Sequence, residues 1–278
     1  MRVRAFAKIN LSLRVLGTRP DGYHELRTVF QSIALHDTLT VRRVRGPLQL
    51  VCNDDAIACD RTNLVWRAAD ALWVSMRRRG SARDVAIDLR KRIPIQAGLG
   101  GGSSDAAATL RALQKLWRVD PQCVREAAVR LGADVPYFLE GGTVLGLERG
   151  DVLFPLIDRP RQWVVLVIPP FGVSTPEAYH WLDVARRLQP SGRRSSKSFA
   201  RHNDLEPVVA KRHPAIARIV RDLAKAGAAC AAMSGSGSAV FGLFGSRAAA
   251  EKASKSMKFR AILTRTLSRA EYRRLAAN

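Results

Sequence analysis

The residues best suited to chemistry lie in a glycine-rich stretch in the first half of the chain, residues 94–108 (PIQAGLGGGSSDAAA). Four glycines fall within five residues, two serines follow, and a run of good helix formers then begins. Glycine allows backbone conformations that other residues avoid, and it lets the backbone approach a ligand closely. A glycine turn that leads into a helix also presents free N–H groups and the positive end of the helix dipole to an anion. The stretch therefore predicts a loop that binds a nucleotide's phosphates, with Ser103, Ser104 or Asp105 as the helix cap.

Two well-known phosphate motifs do not fit this stretch. A P-loop reads GxxxxGK followed by Ser or Thr, and no lysine follows these glycines. A dinucleotide-binding fold requires GxGxxG early in a strand–helix–strand unit, and the spacing of Gly98, Gly100, Gly101 and Gly102 fits it poorly. A flexible linker is the plain alternative, but linkers seldom enter a helix so abruptly. Phosphate binding is the favoured interpretation.

The elements that must position this loop are a mixture of strands and helices. Apolar alternation with β-branched residues predicts strands, and helical periodicity between turn formers predicts helices. The predicted strands cover residues 2–16, 28–44, 48–52, 85–89, 163–169, 229–233, 239–244 and 259–265. The predicted helices cover residues 64–79, 103–117, 121–131, 176–188, 204–211, 214–226, 246–257 and a short C-terminal segment. The pattern indicates an α+β protein with hairpin-like segments up to about 155, a seam near 155–162 and a Ser/Arg-rich loop at 190–200.

The charge of the chain raises the question of nucleic acid. The 278 residues include 46 Lys and Arg against 24 Asp and Glu, which gives a formal net charge of +22. The arginines are scattered, however, and aromatic residues do not interleave with them as a base-stacking surface requires. We expect no specific nucleic-acid partner, and we interpret the positive surface as a solvated face that helps to attract anionic substrates.

Membrane and zinc-binding classes are not indicated by the sequence. The N-terminus lacks the apolar stretch of a signal peptide, and no apolar run reaches roughly 18 residues. The cysteines Cys52, Cys59, Cys123 and Cys230 form no CxxC pair, and no histidine lies near one at zinc spacing. We expect a cytoplasmic protein with reduced thiols and with no metal site made by the protein alone.

Three stretches resemble, in order and spacing, the motifs of the GHMP kinase family: residues 5–11 (AFAKINL), 94–107 and 233–241 (MSGSGSAVF). Together they span nearly the whole chain. The resemblance implies a two-domain α+β kinase with ATP as co-substrate. Its N-terminal domain, residues 1–157, would resemble ribosomal protein S5 and carry ATP binding and catalysis. Its C-terminal domain, residues 158–278, would be ferredoxin-like and contribute to substrate binding, with both substrates held between the domains.

Four further stretches resemble family members that act on a CDP-linked alcohol: residues 21–26 (DGYHEL), 98–105, 131–136 (LGADVP) and 203–207 (NDLEP). The resemblance implies phosphorylation of a hydroxyl on the methylerythritol part of that molecule, giving a 2-phosphate on the non-mevalonate route to isoprenoids. The small molecule would be the partner of a monomer or homodimer. The alternatives are another small-alcohol kinase of the family and, from a different class, a non-catalytic basic protein that binds nucleic acid.

The resemblance assigns catalytic roles to Asp134 and Lys8. On spacing and pattern alone, a turn or capping aspartate is the favoured interpretation of Asp134, and a solvated strand lysine is the favoured interpretation of Lys8. The resemblance makes Asp134 the base that accepts the hydroxyl proton and places Lys8 beside it, where it stabilises developing charge. Asn10 shares the strand face of Lys8 by the two-residue period, and we expect it to bind substrate or orient Lys8.

The resemblance also assigns residues to the two substrates. For the cytidyl substrate it implies Tyr23 and Tyr179 as stacking residues, His24 as a hydrogen-bonding partner of cytosine, and contacts from Thr175, Gly235 and Ser236. Tyr23 and Tyr179 have a plain alternative as partly buried packing residues. For ATP it implies Asn63 and Lys91 near the adenine and ribose, and the loop residues Pro94, Ile95, Gln96, Ala97, Gly98, Leu99, Gly100, Gly101, Gly102, Ser103 and Ser104. Mg²⁺ is expected to arrive with the nucleotide. Gln96 departs from the family pattern, which favours a small residue there.

Overall fold

A computed structural model of the chain describes residues 1–188 and 202–277, which form two lobes around two separate sheets. The predicted loop at 190–200 lies outside the described residues. The elements of the first lobe are, in chain order, β1 (Arg2–Thr18), β2 (His24–Pro47), β3 (Gln49–Cys52), α1 (Leu64–Ser75), β4 (Arg83–Arg90), α2 (Gly101–Trp117), α3 (Pro121–Leu131), α4 (Val135–Glu140), β5 (Thr143–Glu148) and β6 (Val152–Pro155).

The long hairpin of β1 and β2 is the frame of the first lobe. Strand β2 pairs with β1, β4 and β5, all antiparallel, and the sheet follows the order β3-β4-β2-β5-β6 with β1 added beside β2. Helices α1 to α4 pack on this sheet around a core that includes Leu39, Leu72, Leu110 and Tyr137, all fully buried. Burial of such large apolar side chains is the main stabilising contribution to a lobe of this kind.

The second lobe is a four-stranded antiparallel sheet with the order β10-β7-β9-β8. Its elements are β7 (Trp163–Ile168), α5 (Thr175–Leu188), α6 (Glu206–Arg212), α7 (Ala215–Lys225), β8 (Cys230–Met233), β9 (Val240–Phe244), α8 (Arg247–Ser256) and β10 (Arg260–Arg265). No described helix is both long and apolar enough to span a membrane.

A shared apolar core joins the lobes. Successive side chains of a strand point to opposite faces, so a continuous apolar strand predicts burial on both. On β7, Val165 and Val167 pack against the helices of the second lobe, whereas Val164 and Leu166 pack against Ile9 and its neighbours in the first. The two lobes are therefore packed directly against each other along β1.

The last helix, α9 (Arg269–Ala276), returns from the second lobe to the first. Its Tyr272 is buried against Phe6, with the two ring centroids 5.5 Å apart, and the Tyr272 hydroxyl donates to the Phe138 carbonyl at 2.6 Å. The predicted domain boundary between residues 157 and 158 stays a prediction. Helix α9 belongs to the second domain by its position in the sequence, but it packs on the first lobe.

Most predicted elements are present, and the differences have local causes. Helix α4 was not predicted, because the stretch GADVP resembles a helix end, yet Pro136 is well tolerated in the first turn of a new helix. Helix α1 ends at Ser75 because Arg77 has a φ of 57°. Helix α2 begins at Gly101, so the expectation that Ser103, Ser104 or Asp105 caps it is wrong: the cap is Gly100, without a side-chain hydrogen bond.

Candidate active site

A cleft of about 1100 Å³ lies between the lobes, and residues of both line it. Of the residues that the sequence predicts for the site, all but Ser104 line this cleft: Lys8, Asn10, Tyr23, His24, Asn63, Lys91, Pro94, Ile95, Gln96, Ala97, Gly98, Leu99, Gly100, Gly101, Gly102, Ser103, Asp134, Thr175, Tyr179, Gly235 and Ser236. Ser104 is 1% exposed and its hydroxyl donates to the Phe6 carbonyl, so it secures α2 to β1 and does not face a ligand.

The predicted phosphate loop enters α2 through two left-handed residues. Gly98 and Gly100 both have a φ of +71°, a conformation that side chains disfavour. Because no side chain caps α2, its first N–H groups remain available to an anion in the cleft, where the helix dipole adds to the attraction. The Lys8 backbone N–H donates to the Leu99 carbonyl at 3.0 Å, so a backbone hydrogen bond attaches the loop to strand β1.

The second glycine turn packs directly against the first. Ser234 Oγ donates to the Gly98 carbonyl at 3.0 Å and accepts from Asn10 N–H at 3.3 Å. A Cβ at Gly98 would lie 2.0 Å from the Ser234 carbonyl oxygen, which leaves room for glycine alone. Asn203 fixes the same turn, because its side-chain amide donates to the Met233 and Gly235 carbonyls, each at 2.8 Å.

Lys8 and Asp134 meet where the two turns converge. Lys8 is 4% exposed, and its Nζ lies 3.6 Å from Asp134 Oδ2 and 2.6 Å from Asn10 Oδ1. The Asn10 amide donates to Thr28 Oγ1 at 2.8 Å, which fixes the orientation of its oxygen towards Lys8. Asp134 does not cap α4 with its side chain, which remains 34% exposed in the cleft. A solvent-accessible carboxylate beside a buried cation can accept a proton while nearby negative charge is balanced.

A buried triad of Lys91, Asp37 and Asp105 supports the phosphate loop. Lys91 Nζ donates to Asp37 and, at 2.7 Å, to Asp105 Oδ2, and the carboxylates are essentially inaccessible. Asp37 also accepts from Ile93 N–H at 2.8 Å, which fixes the chain just before Pro94. Burial raises the pKa of Asp105 to about 8, because Lys91 only partly offsets it and Asp37 adds to it. Burial opposes the charge on Lys91, but the two acids outweigh it and raise the pKa of Lys91.

This triad modifies what was expected of Lys91. The resemblance implies a contact near the adenine and ribose, and Lys91 does line the cleft. Its ammonium is nevertheless engaged by Asp37 and Asp105, so the structure gives it a supporting role for the loop.

Aromatic residues cluster at the other end of the cleft. The His24 and Tyr179 rings stack with centroids 4.6 Å apart and an interplanar angle of 27°. His24 Nε2 lies 2.9 Å from Asp183 Oδ1, so the imidazole is held on its face by Tyr179 and at its edge by Asp183. Tyr23 is 57% exposed, with the Arg149 guanidinium 5.2 Å from its ring centroid. Tyr179 thus stacks on His24 rather than on Tyr23, and burial raises the pKa of its hydroxyl.

Polar groups from the second lobe complete the wall. The Thr175 and Ser236 hydroxyls are 3.0 Å apart. Gln96 has a φ of 52°, and its side chain packs closely against Gly172, where a Cβ would lie 2.7 Å from Gln96 Oε1. The Gln96 side chain is therefore accommodated by a glycine on the facing segment.

Comparison with known families explains why these parts occur together. Residues 63–142 match the model of the GHMP kinases N-terminal domain, and residues 183–262 match that of the GHMP kinases C-terminal domain. The chain belongs to the GHMP kinase family. The predicted two-domain α+β fold class of a GHMP kinase is confirmed.

Curated relatives extend this similarity over most of the chain. The chain is 46% identical over 263 residues to a 4-diphosphocytidyl-2-C-methyl-D-erythritol kinase from Solibacter usitatus (strain Ellin6076), covering 88% of this chain and 81% of that protein. It is 38% identical to the kinase of the same name from Heliobacterium modesticaldum (strain ATCC 51547 / Ice1), covering 98% and 97%.

Solved structures agree in fold. A crystal structure of 4-(cytidine 5'-diphospho)-2C-methyl-D-erythritol kinase is 35% identical, with a TM-score of 0.79 and coverage of 96% of this chain and 99% of the other. A mevalonate kinase from L. major, solved with R-mevalonate, has a TM-score of 0.72 at 16% identity, with coverage of 96% of both chains. The second likeness concerns the fold of the GHMP kinases alone.

Several residues of this GHMP kinase site were not singled out from the sequence. Asp37 lies in the middle of a predicted strand, and nothing local distinguishes it from a solvated strand residue. Asp183 lies on the predicted helix that carries Tyr179, but it was given no role of its own, and its partner His24 is 159 residues away. Asn203 lay in a recognised motif, but its hydrogen bonds to a turn 30 residues further on depend on the tertiary fold.

Proposed function

We propose that this chain transfers the γ-phosphoryl group of ATP to a hydroxyl of 4-diphosphocytidyl-2-C-methyl-D-erythritol, to give the 2-phosphate. The observation that carries the proposal is the Lys8–Asp134 pair, 3.6 Å apart at the junction of two glycine turns in the cleft between the lobes. The names and high coverage of the relatives support the substrate. Kinase family membership removes the alternative of a non-catalytic nucleic-acid-binding protein.

In the proposed reaction, the substrate hydroxyl oxygen attacks the γ-phosphorus. The bond from that phosphorus to the β–γ bridging oxygen breaks, and ADP leaves with the bonding electrons. Asp134 accepts the hydroxyl proton, since its carboxylate is accessible and is not used as a helix cap. Lys8, held by Asn10, stabilises the negative charge of the transferred group.

The phosphate loop provides the ATP site. The uncapped first turn of α2 and the left-handed glycines before it support binding of the β- and γ-phosphates by backbone N–H groups. Mg²⁺ requires oxygen donors and keeps much of its hydration. The Ser103 hydroxyl, in the first turn of α2 and on the cleft wall, fits that requirement together with phosphate oxygens. The ion would neutralise phosphate charge when it is bound with ATP.

The aromatic end of the cleft would receive the cytidyl group. The exposed Tyr23 ring offers a stacking face, and the His24–Tyr179 pair, held by Asp183, offers a rigid second wall. Thr175, Gly235 and Ser236 lie on the second lobe's side of the cleft, where we place contacts to the middle of the substrate. We propose the cytoplasm as the compartment, in keeping with the four free cysteines. A monomer or homodimer stays a prediction.

A substrate panel tests the proposal. The purified protein is assayed with ATP and Mg²⁺ against the diphosphocytidyl alcohol, homoserine and mevalonate. We expect kcat/KM for the diphosphocytidyl alcohol to be higher by roughly 100-fold or more, because polar groups of the cleft are unsatisfied by smaller substrates. Preferential turnover of homoserine or mevalonate would instead assign the chain to another small-alcohol kinase of the family.

A further inference from the structure

A second cavity, of about 520 Å³, lies on the first lobe away from the catalytic cleft, and no residue lines both. Four of its lining residues are arginines (Arg43, Arg45, Arg78 and Arg83), and one, Asp84, is acidic. We propose that this arginine pocket binds a small molecule through a phosphate or diphosphate group. The proposal does not depend on the reaction in the catalytic cleft.

The arginine pocket and the catalytic cleft lie at opposite ends of the same elements, helices α1 and α2 and strand β4. Trp73, in the last turn of α1, and Trp117, the last residue of α2, line the pocket, whereas the first residues of both helices line the cleft. At 1.5 Å per residue the helices span about 18 Å and about 25 Å. Strand β4 likewise begins at Arg83 in the pocket and leads to Lys91 in the cleft.

The floor of the pocket is rigid. The Trp73 and Trp117 rings pack edge to face, with centroids 5.4 Å apart and an interplanar angle of 68°. The Trp73 indole N–H donates to the Arg79 carbonyl at 3.1 Å, which ties the arginine-rich turn after α1 to the helix. The Arg78 guanidinium lies 4.5 Å from the Trp73 ring centroid, so this cation is held by stacking.

The positive charge of the pocket is only partly balanced. Arg83 lies 3.5 Å from Asp84, which also accepts from Gly46 N–H at 3.0 Å. Arg43 donates to the Leu116 carbonyl at 2.8 Å, at the negative end of the α2 dipole. In the part of the chain that the structure describes, Arg45 and Arg78 form no ion pair with a carboxylate. Guanidinium groups bind phosphate oxygens in a planar, bidentate geometry, so the unbalanced pair selects for a phosphate-bearing ligand.

The shape of the pocket favours a small molecule over a nucleic-acid strand. Sequence-tolerant binding of single strands relies on exposed aromatic faces for successive bases. Trp73 is only 5% exposed and is covered by Arg78, so it offers no such platform. The concave pocket instead suits one compact oligophosphate group, with the edge of Trp117 available to an apolar part of the ligand.

Calorimetric titration of the full chain with inorganic diphosphate tests the proposal. Diphosphate that binds in the catalytic cleft is fitted as a separate class of site, which pocket variants should leave unchanged because no residue lines both cavities. We expect saturable binding that weakens about tenfold or more in the Arg45→Gln/Arg78→Gln double variant, because each guanidinium contributes charge-assisted hydrogen bonds. The matched control, Arg218→Gln/Arg221→Gln, removes the same charge from exposed positions of α7 and is expected to bind like the wild type.

A single variant and a competition with an oligonucleotide test the pocket further. Arg45→Gln alone changes an exposed side chain and is expected to weaken binding while leaving the unfolding temperature unchanged. Absence of saturable binding, or equal loss in the α7 control, would overturn the site. A short single-stranded oligonucleotide that displaces diphosphate and binds more tightly would overturn the assignment to a small molecule. No displacement at matched phosphate concentration would support it.

Discussion

Lys8 is a buried cation whose side-chain contacts all lie within the cleft. It reaches Asn10 and Asp134, and Phe30 covers it at 5.6 Å from the ring centroid. A buried ammonium is costly unless it is paired, so the contacts with Asn10 and Asp134 are what allow Lys8 within the apolar segment from Ala5 to Ile9. At this scale the site consists of an accessible carboxylate, Asp134, which is the proposed base, and a buried ammonium, Lys8, which Asn10 holds beside it.

Tyr23→Ala tests the cytidyl end of the cleft. The exposed ring of Tyr23 is proposed to stack on cytosine, so its removal weakens binding of the cytidyl substrate by about 1–3 kcal/mol, or roughly 5- to 150-fold in KM. We expect the KM for ATP to change little, because the phosphate loop is untouched. Steady-state kinetics with each substrate varied in turn provides the measurement. An unchanged KM for the cytidyl substrate would contradict stacking, and Tyr23→Phe, which keeps the ring, serves as the control.

Asp105→Asn tests the buried triad through pH. Asp105 has a pKa raised to about 8 in the folded protein, against the ordinary value of 3.8 for an aspartate. Between these values the folded protein retains a proton that the unfolded chain has lost, so this group's contribution to stability falls as pH rises. Asparagine does not titrate. We therefore expect the unfolding temperature of the variant, relative to wild type, to rise from about pH 5 to about pH 8. A pH-independent difference would contradict the raised pKa.

Sequence reasoning located the cleft residues that lie in motifs and missed those that lie outside them. Lys8 and Asp134 follow from a recognised pattern, while Asp37 and Asp183 acquire their meaning only from partners 54 and 159 positions away. The predicted capping role of Ser103, Ser104 or Asp105 failed because propensity favours those residues at a cap, whereas packing uses Ser104 and Asp105 inside the helix. Local preference is overridden where a side chain has a buried partner.

The two glycine turns act as a unit at the scale of elements. Each is held by strand β1, through Lys8 N–H to one and Asn10 N–H to the other, and Ser234 bonds them together. In the proposed reaction, the contact between these turns, which lie about 135 residues apart in the chain, would fix the position of the phosphate loop beside Lys8.

Gly98→Ala tests that unit. The residue has a φ of +71°, and a Cβ would lie 2.0 Å from the Ser234 carbonyl oxygen, so the turns must separate. We expect at least about 1–3 kcal/mol of destabilisation from the backbone strain and a marked loss of ATP binding. Thermal unfolding and nucleotide titration measure the two effects.

Gly102→Ala is the matched control for that change. Gly102 lies within α2, where the nearest atom to an added Cβ is Leu64 Cδ1 at 3.5 Å. We expect the free energy of unfolding to be unchanged or higher by up to about 1 kcal/mol. Equal behaviour of the two alanine variants would contradict the close contact between the turns.

The positions of strands and helices could be predicted from the sequence more readily than the pairing between strands. Strands with β-branched residues and helices between turn formers were predicted close to their actual bounds. Helix α4 was missed because it has only six residues and has a proline in its first turn, which single-sequence patterns interpret as a break. Strand β2 also extends beyond the predicted residues 28–44, because its pairing with β5 begins at Leu26 and its pairing with β4 continues to Pro47.

At the scale of the whole molecule, the chain joins the lobes twice. The β1–β7 core packs them together, and α9 returns to cover the first lobe after the second is complete. The C-terminus therefore contributes to the stability of the lobe that carries Lys8 and Asp134. This return was invisible in the sequence, since an amphipathic terminal helix does not reveal which lobe it covers.

Tyr272→Ala tests the return of α9. The ring is buried against Phe6 and Gly141, and we expect a loss of about 3 kcal/mol or more in the free energy of unfolding. Tyr272→Phe keeps the ring but leaves the Phe138 carbonyl without its donor, at a cost of about 1–3 kcal/mol. Denaturant unfolding separates the two. A loss below about 1 kcal/mol for the alanine variant would show that α9 is dispensable to the first lobe.

Asp134→Asn bears most directly on the central claim, that the junction of both lobes and both glycine turns is a phosphoryl-transfer centre. Asparagine keeps the size of the side chain but accepts a proton far less readily. We predict a fall in kcat for the diphosphocytidyl alcohol of at least about 100-fold, with ATP affinity within about twofold of wild type. The exposed Asp222→Asn variant on α7 should retain full activity. Substantial turnover by Asp134→Asn would contradict the account.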